Sequence, residues 1–275
     1  MDGMRAKKAL GQNFLVDSSV LTRIVSCVAP TPDDCILEVG PGRGALTRLL
    51  AESGARLVAV EWDRDLIPIL NAEFGENGQV EIGHGDILRV DLPLLLGSRA
   101  PGKKWKVAAN LPYNISSQVL FRFLECYQLF DKLVLMLQKE VGDRLAAPPN
   151  CKDYGALTVL LRLNFDIQRE FIVKPGCFRP IPKVDSAVLS FVPLPAPRAE
   201  VGDHRIFTRL VKGAFNQRRK TLSNALKAAG FAEDPERLQQ ALSLSGIDGG
   251  RRGETLSLEE FAALSRELSA GKRLA

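Results

Sequence analysis

Five short apolar runs between residues 35 and 137 limit what this chain can fold into more than any other feature of its sequence. They are CILEV (35–39), RLVAVE (56–61), VEIG (80–83), WKVAAN (105–110) and KLVLML (132–137), and helix-like stretches separate them. Strand-then-helix repetition predicts parallel strands in one sheet covered by helices on both faces, an α/β fold. Toward residue 195 the pattern changes. FDIQREFIV (165–173) and SAVLSFVPL (186–194) flank a loop rich in Pro and Gly, which predicts an antiparallel pair at one end of the sheet. The stretch VPLPAPRAE (192–200) then makes a stiff connector, and everything after it reads as helical. The expected division is an α/β domain over 1–195 and a helical domain over 198–275.

Several function classes have little material here. No apolar run approaches the roughly 20 residues that span a bilayer. The basic start MDGMRAKKALGQNF has no apolar stretch behind it, so no signal peptide is expected. Cys27, Cys35, Cys126, Cys151 and Cys177 are odd in number and form no Cys-x-x-Cys pair. Reduced thiols in a cytoplasmic protein are the expectation. The two histidines, His84 and His204, lie far apart, and no metal site is expected. The net charge is +5, and it is unevenly spread: residues 198–275 hold 14 Lys/Arg against 10 Asp/Glu, while residues 1–197 hold 23 against 22. A solvated helical surface and a polyanionic partner both fit that excess.

The chemistry concentrates where the strands end. The first run leads into LEVGPGRGALT, with Gly40, Gly42 and Gly44 between a strand and a helix. Glycines there let the backbone approach a ligand and leave amides at a helix N-terminus for polar groups. Gly40, Gly42 and Ala45 also satisfy the dinucleotide pattern G-x-G-x-x-G/A, so a nicotinamide enzyme has to be weighed. Glu61 ends the second run, placed to accept from ribose hydroxyls, and Asp86 follows the third, placed to accept from an adenine amine. Either acid alone is equally an ordinary cap or loop residue. Acids in series after successive strands point to a nucleoside-bearing cofactor held at the carboxyl ends of the strands.

The fourth run ends in NLPY (110–113), which decides between hydride and methyl transfer. Hydride transfer needs groups that polarise a carbonyl, and none is evident. Pro112 stops the strand and biases Leu111 toward an extended conformation. An Asn side-chain oxygen and the carbonyl of Leu111 or Pro112 then suit the two hydrogens of an exocyclic amine, while the ring of Tyr113, rather than its hydroxyl, stacks on the base. Acceptors aimed at those hydrogens direct the nitrogen lone pair at a methyl sulfonium and stabilise the positive charge that develops on nitrogen.

Seven blocks carry a resemblance to a known family: KKALGQNFLVD (7–17), EVGPGRGALT (38–47), NLPYNISS (110–117), MLQKEVGDR (136–144), YGALTVL (154–160), CFRPIPKVDSAV (177–188) and FNQRRKTLSNAL (215–226). Together they resemble the ribosomal RNA adenine dimethyltransferases of the KsgA type across nearly the whole chain. The resemblance implies a Rossmann-like class I methyltransferase domain, with a seven-stranded mostly parallel sheet, followed by a small all-helical C-terminal domain. It implies S-adenosyl-L-methionine as cofactor and small-subunit rRNA, or the immature small subunit, as partner. The implied reaction places two methyl groups on each of two adjacent adenines in the hairpin loop near the 3′ end of that RNA. Cofactor contacts carry over to Gln12, Asn13, Leu15, Gly40, Gly42, Glu61, Asp86, Ile87 and Asn110. The target adenine carries over to Asn110, Leu111, Pro112 and Tyr113, with Phe178 near its other face. Trp62, bulkier than the residue many relatives carry there, is left without a role.

Two alternatives remain open on the sequence. One is the related family that dimethylates a large-subunit adenine and confers macrolide resistance. The other is a non-enzymatic assembly or transcription factor on the same fold. A monomer is expected in either case. Arg218, Arg219 and Lys220, in the part of the chain with the charge excess, are the expected RNA-phosphate contacts, with Lys103, Lys104 and Lys106 as the fallback.

Overall fold

The computed structural model describes residue 7, residues 10–231 and residues 235–270. They divide into two compact units, residues 1–142 with 166–193 and residues 143–165 with 194–275. Residues 143–165 therefore group with the C-terminal part of the chain, across the Pro-rich connector.

In the first unit, β1 (Phe14–Leu15) leads to α1 (Ser18–Val28), which Asp17 caps by accepting from the Val20 N–H at 3.1 Å. Then follow β2 (Cys35–Val39), α2 (Ala45–Ala51), β3 (Arg56–Glu61), α3 (Ile67–Phe74), β4 (Val80–His84), α4 (Leu92–Arg99), β5 (Trp105–Asn110), α5 (Ser116–Glu125) and β6 (Phe130–Gln138). After α6 (Lys139–Ala146) and α7 (Ala156–Asn164) the chain completes the sheet with β7 (Phe165–Val173) and β9 (Ser186–Pro193), the short β8 (Phe178–Arg179) lying between them. The seven-stranded sheet has the order β4-β3-β2-β5-β6-β9-β7. The pairs β4/β3, β3/β2, β2/β5 and β5/β6 are parallel, and β9 runs antiparallel to β6. The central strand β2 is a continuous apolar run because both faces of the sheet are covered there: every residue of β2 is buried.

The order of strands matters more than their number. From β2 the chain moves outward to β3 and β4, then returns to β5 on the other side of β2 and continues to β6. The crevice at the carboxyl ends of β2 and β5 is thus the switch point where ligands bind in open α/β sheets.

In the second unit, α8 (His204–Asn216), α9 (Leu222–Leu226), α10 (Pro235–Leu244) and α11 (Leu258–Ala270) form a helical group that also takes in α7. Among the described residues no helix is long and apolar enough to cross a membrane.

One expectation is corrected by the core. Phe178 is fully buried in β8, where its register partner is Leu15 of β1, and both side chains belong to the cluster formed with Ile24, Val28, Ile36 and Val188. A β8 ring that faces α1 and the sheet is a packing residue, and Phe178 does not present a face to a base. Phe178→Ala is expected to lose about 3–5 kcal/mol of stability in urea titration, the usual result of emptying an aromatic site in a packed core. Unchanged stability with lost turnover would return the ring to the active site.

Candidate active site

The carboxyl ends of the first strands open onto one cavity of about 330 Å³, at the lower end of the range of small-molecule sites, about 300–1,000 Å³. Its wall holds Gln12 and Asn13 from the N-terminal segment, Gly40 and Gly42 after β2, and Glu61 at the end of β3. Asp86 and Ile87 follow β4, and residues 110–113 end β5. Residues that the sequence singled out in five separate stretches thus converge on a single cavity. Leu15 does not line it; its side chain is buried in the core beside Phe178.

Gly40 and Gly42 have φ of 68° and 59°, the left-handed region that side chains resist. A Cβ on Gly40 would meet nothing within 4 Å and project into open space, whereas one on Gly42 would lie 3.0 Å from the Phe14 ring. The turn is therefore tight on one side and open on the other, a cradle for a group that needs close backbone approach.

Glu61 is held at the cradle's edge. Its carboxylate accepts from the Gly42 N–H at 3.0 Å and the Asp63 N–H at 2.8 Å. Burial pushes its carboxyl above the usual range, and those two N–H groups pull against that rise. A carboxylate offers about four acceptor positions, so the bonds to the backbone still leave room for a hydroxyl of a ligand. Asp86 accepts from the Leu88 N–H at 3.0 Å and lies 3.6 Å from the Arg89 guanidinium. The half-exposed ring of Trp62 stacks on His84, with centroids 5.8 Å apart and planes at 15°, and also lines the cavity.

The N-terminal segment closes one wall through polar ties to strand ends. Asp63, which the sequence did not single out, accepts from Gln12 Nε2 at 2.8 Å and from Lys7 Nζ at 2.5 Å. Burial raises the Asp63 carboxyl, but these bonds outweigh it and hold it below the ordinary carboxylate range. Asn110 Nδ2 donates to the Asn13 carbonyl at 3.0 Å. That bond orients the amide, so that Oδ1 is the end left for a substrate.

Tyr113 is anchored as well. Its hydroxyl lies 2.7 Å from Ser186 Oγ, on a fully buried residue that begins β9. The hydroxyl therefore fixes the ring, a role the sequence had assigned to neither residue. In the turn itself the Pro112 carbonyl accepts from the Ile115 N–H at 3.2 Å, which leaves the Leu111 carbonyl as the better partner for an incoming amine.

A profile of the family described as Ribosomal RNA adenine dimethylase matches residues 3–269. The chain belongs to that family. Among curated relatives, the Ribosomal RNA small subunit methyltransferase A of Geobacter metallireducens is 64% identical over 98% of both chains. Of solved structures, a dimethyladenosine transferase from Plasmodium falciparum superposes with a TM-score of 0.75 at 23% identity, covering 91% of this chain and 95% of that one. The 23S rRNA methyltransferase ErmE superposes with a TM-score of 0.68 at 25% identity, covering 93% and 99%. Both share the class I methyltransferase fold seen here.

The basic cluster of this dimethylase family member is divided. Arg218 donates from Nη1 to the Lys152 carbonyl at 2.6 Å and from Nη2 to the Tyr154 carbonyl, and its Nε lies 4.0 Å from Glu254. Two backbone carbonyls take its fork, so it braces the helical unit while staying exposed. Arg219 and Lys220 are exposed on the turn after α8. Of the fallback lysines, Lys103 donates to the Asp33 carbonyl at 3.0 Å and Lys106 pairs with Asp34 at 2.8 Å, while Lys104 is exposed.

Removing the Tyr113 hydroxyl leaves the buried Ser186 hydroxyl unpartnered, so Tyr113→Phe and Ser186→Ala should each cost about 1–3 kcal/mol and lower methyl-transfer turnover together. Parental turnover and stability in both would make the bond incidental. A second prediction concerns Glu38, buried in β2 near Glu61. Burial, with the neighbouring Glu61 charge adding to it, pushes its carboxyl from 4.5 up to about 8. Between those values the folded chain holds a proton that the unfolded chain has lost, so stability falls as pH rises through the window. In Glu38→Gln the urea midpoint should vary less between about pH 5 and 8 than in the parent. Equal slopes would show that Glu38 ionises normally.

Proposed function

We propose that this chain dimethylates the exocyclic amines of two adjacent adenines in the 3′-terminal hairpin loop of small-subunit (16S) rRNA, giving N(6)-dimethyladenosines, and that it also serves small-subunit assembly. One observation carries the reading: cradle, acids and Asn-Leu-Pro-Tyr turn share one cavity in a chain that matches the dimethylase family over residues 3–269. S-adenosyl-L-methionine supplies the methyl group, on a positively charged sulfur.

The chain's own residues do the rest. Gly40 and Gly42 admit the cofactor to the backbone, Glu61 receives ribose hydroxyls, and Asp86 with Ile87 receives the adenine end. Gln12 and Asn13 close the wall. A target adenine must leave its stack to reach the cavity, and the Tyr113 ring, fixed through Ser186, gives it a surface to stack on. Asn110 Oδ1 and the Leu111 carbonyl accept the two amine hydrogens. As the nitrogen takes the methyl group and gains positive charge these acceptors strengthen, the methyl leaves the sulfonium behind as a neutral thioether, and one of the amine's own two protons then leaves to water. Arg219 and Lys220 hold flanking phosphate without reading sequence.

A large-subunit target is not favoured, because identity to ErmE is 25% against 64% for the small-subunit enzyme. The five cysteines are free thiols, which supports a cytoplasmic site of action.

Labelled S-adenosyl-L-methionine incubated with undermethylated small or large subunits, followed by mapping of the modified base, tests the target. Label on the small-subunit hairpin is expected, and label on the large subunit overturns the assignment. Asn110→Ala should lower turnover by about 100-fold, the scale of losing one preorganised contact to developing charge. Normal turnover in a folded variant would remove Asn110 from the chemistry.

A further inference from the structure

The loop between β8 and β9, residues 180–185, takes no part in the chemistry derived above, yet both of its ends are tied to the cavity wall. At its start Arg179 pairs with Phe14, and because β1 and β8 are antiparallel the chain leaves Arg179 in the direction of Asn13. Phe14 and Asn13 line the cavity, and the Asn13 carbonyl is the group that accepts from Asn110. At its other end Ser186 holds the Tyr113 hydroxyl, and the Asp185 carbonyl accepts from the Lys139 N–H at 2.9 Å. The loop therefore borders the cavity where Asn110 and Tyr113 would receive the target base.

What the loop presents there is apolar. Ile181 is 63% exposed and Val184 45% exposed, while Pro182 between them is buried. A single exposed aliphatic side chain is ordinary on a protein surface. This one is held outward. Pro180 and Pro182 restrict the backbone on both sides of Ile181, the buried Pro182 pins the loop, and Lys174 Nζ donates to the Asp185 carboxylate at 2.7 Å. Ile181 is itself β-branched and stiff at its first side-chain torsion. A rigid apolar side chain thus stands beside the place where a base has to enter. The reaction also creates a gap for such a group. An adenine drawn into the cavity leaves a space in the RNA stack, lined by the apolar faces of the bases next to it. An aliphatic side chain placed in that space restores contacts to both faces, which favours the extruded state and slows the return of the base.

From this geometry we propose that Ile181 is a positioning residue that enters the base stack of the RNA and fills the place left by the target adenine. The proposal rests on the reading of the chain as an rRNA adenine methyltransferase. It names the side chain that keeps the base out of its stack, distinct from Asn110, Leu111 and Tyr113, which receive the base. A nucleobase stack suits this loop better than an apolar protein surface does, because the exposed Lys183 stands two residues from Ile181 and a cation there matches the phosphates that flank the gap.

The test uses the full-length chain and small subunits assembled on undermethylated RNA. At saturating subunits Ile181→Ala should lower turnover about tenfold, the scale of one lost base-stacking contact. Its urea midpoint and its S-adenosyl-L-methionine affinity by calorimetry should equal the parent's, because the side chain removed is exposed. Ile181→Leu should keep the parental rate, and Ile181→Asn, similar in size but polar, should fall with Ile181→Ala. A second RNA separates a wedge from a general contact. Subunits are assembled on RNA that keeps one target adenine and carries sugar and phosphate but no base on either side of it. No stack is then left to hold open, and parent and Ile181→Ala should run at the same rate. Parental turnover of Ile181→Ala on intact RNA overturns the proposal. A loss of equal size on both RNAs also overturns it, as does a higher subunit requirement with unchanged saturated turnover, since either assigns Ile181 to docking. A parent that leaves both adenines unmethylated refutes the enzymatic reading and the wedge with it, whereas an active parent matched by Ile181→Ala refutes the wedge alone.

Discussion

The parallel pairing of β2 with β5 is the constraint on which the site depends. Because these two strands are neighbours in the sheet but far apart in the chain, the loops that leave them diverge, one toward β3 and the other toward α5. A crevice opens between the diverging loops. Gly40 stands on one lip and Asn110 on the other, and Glu61 and Asp86 extend the first lip along the sheet. Chain order alone would scatter these residues from position 40 to position 110. Register collects them: Val39 pairs with Val60 on one side and with Ala109 on the other, so the ends of three strands are level.

A level row of strand ends holds acids in an apolar setting, with electrostatic consequences. Glu61 is satisfied by two backbone N–H groups, which compensate part of what burial costs its charge. Glu38, one strand over, has an oxygen with no hydrogen-bond partner, and its carboxyl is the one pushed furthest from its ordinary value. The Glu61 charge adds to the rise at Glu38, and the Asp63 charge adds to the rise that burial causes at Glu61.

Much of this was legible in the sequence, and what was not has a physical pattern. Each of the strands β2 to β6 ends within a residue of where its apolar run ends, because a run buried on both faces has to stop where polar residues begin. The acids at strand ends follow from the same boundaries. Partners reached by a side chain across the fold leave no such trace. Ser186 lies 73 residues from Tyr113, and nothing in either block indicates a bond between them. Asp63 reads as a residue two places past Glu61, although it ties down the N-terminal wall through Gln12 and Lys7. Phe178 shows the converse. An aromatic residue in a Pro-rich loop is equally suited to a base or to a core, and its pairing with Leu15 decides for the core.

The helical unit shows why a count of charges along a sequence overstates a binding surface. Arg198 donates to the Arg162 carbonyl, Arg266 to the Glu200 carbonyl and Arg218 to two carbonyls in the 152–154 segment, while Arg251 joins Glu260. Helices joined by short loops leave carbonyls exposed at their C-terminal ends, and arginine, with five donors in a fixed fork, is the side chain that satisfies several of them at once. Much of the basic excess in the last quarter of the chain is therefore structural. Arg219 and Lys220, by contrast, are exposed on the turn after α8.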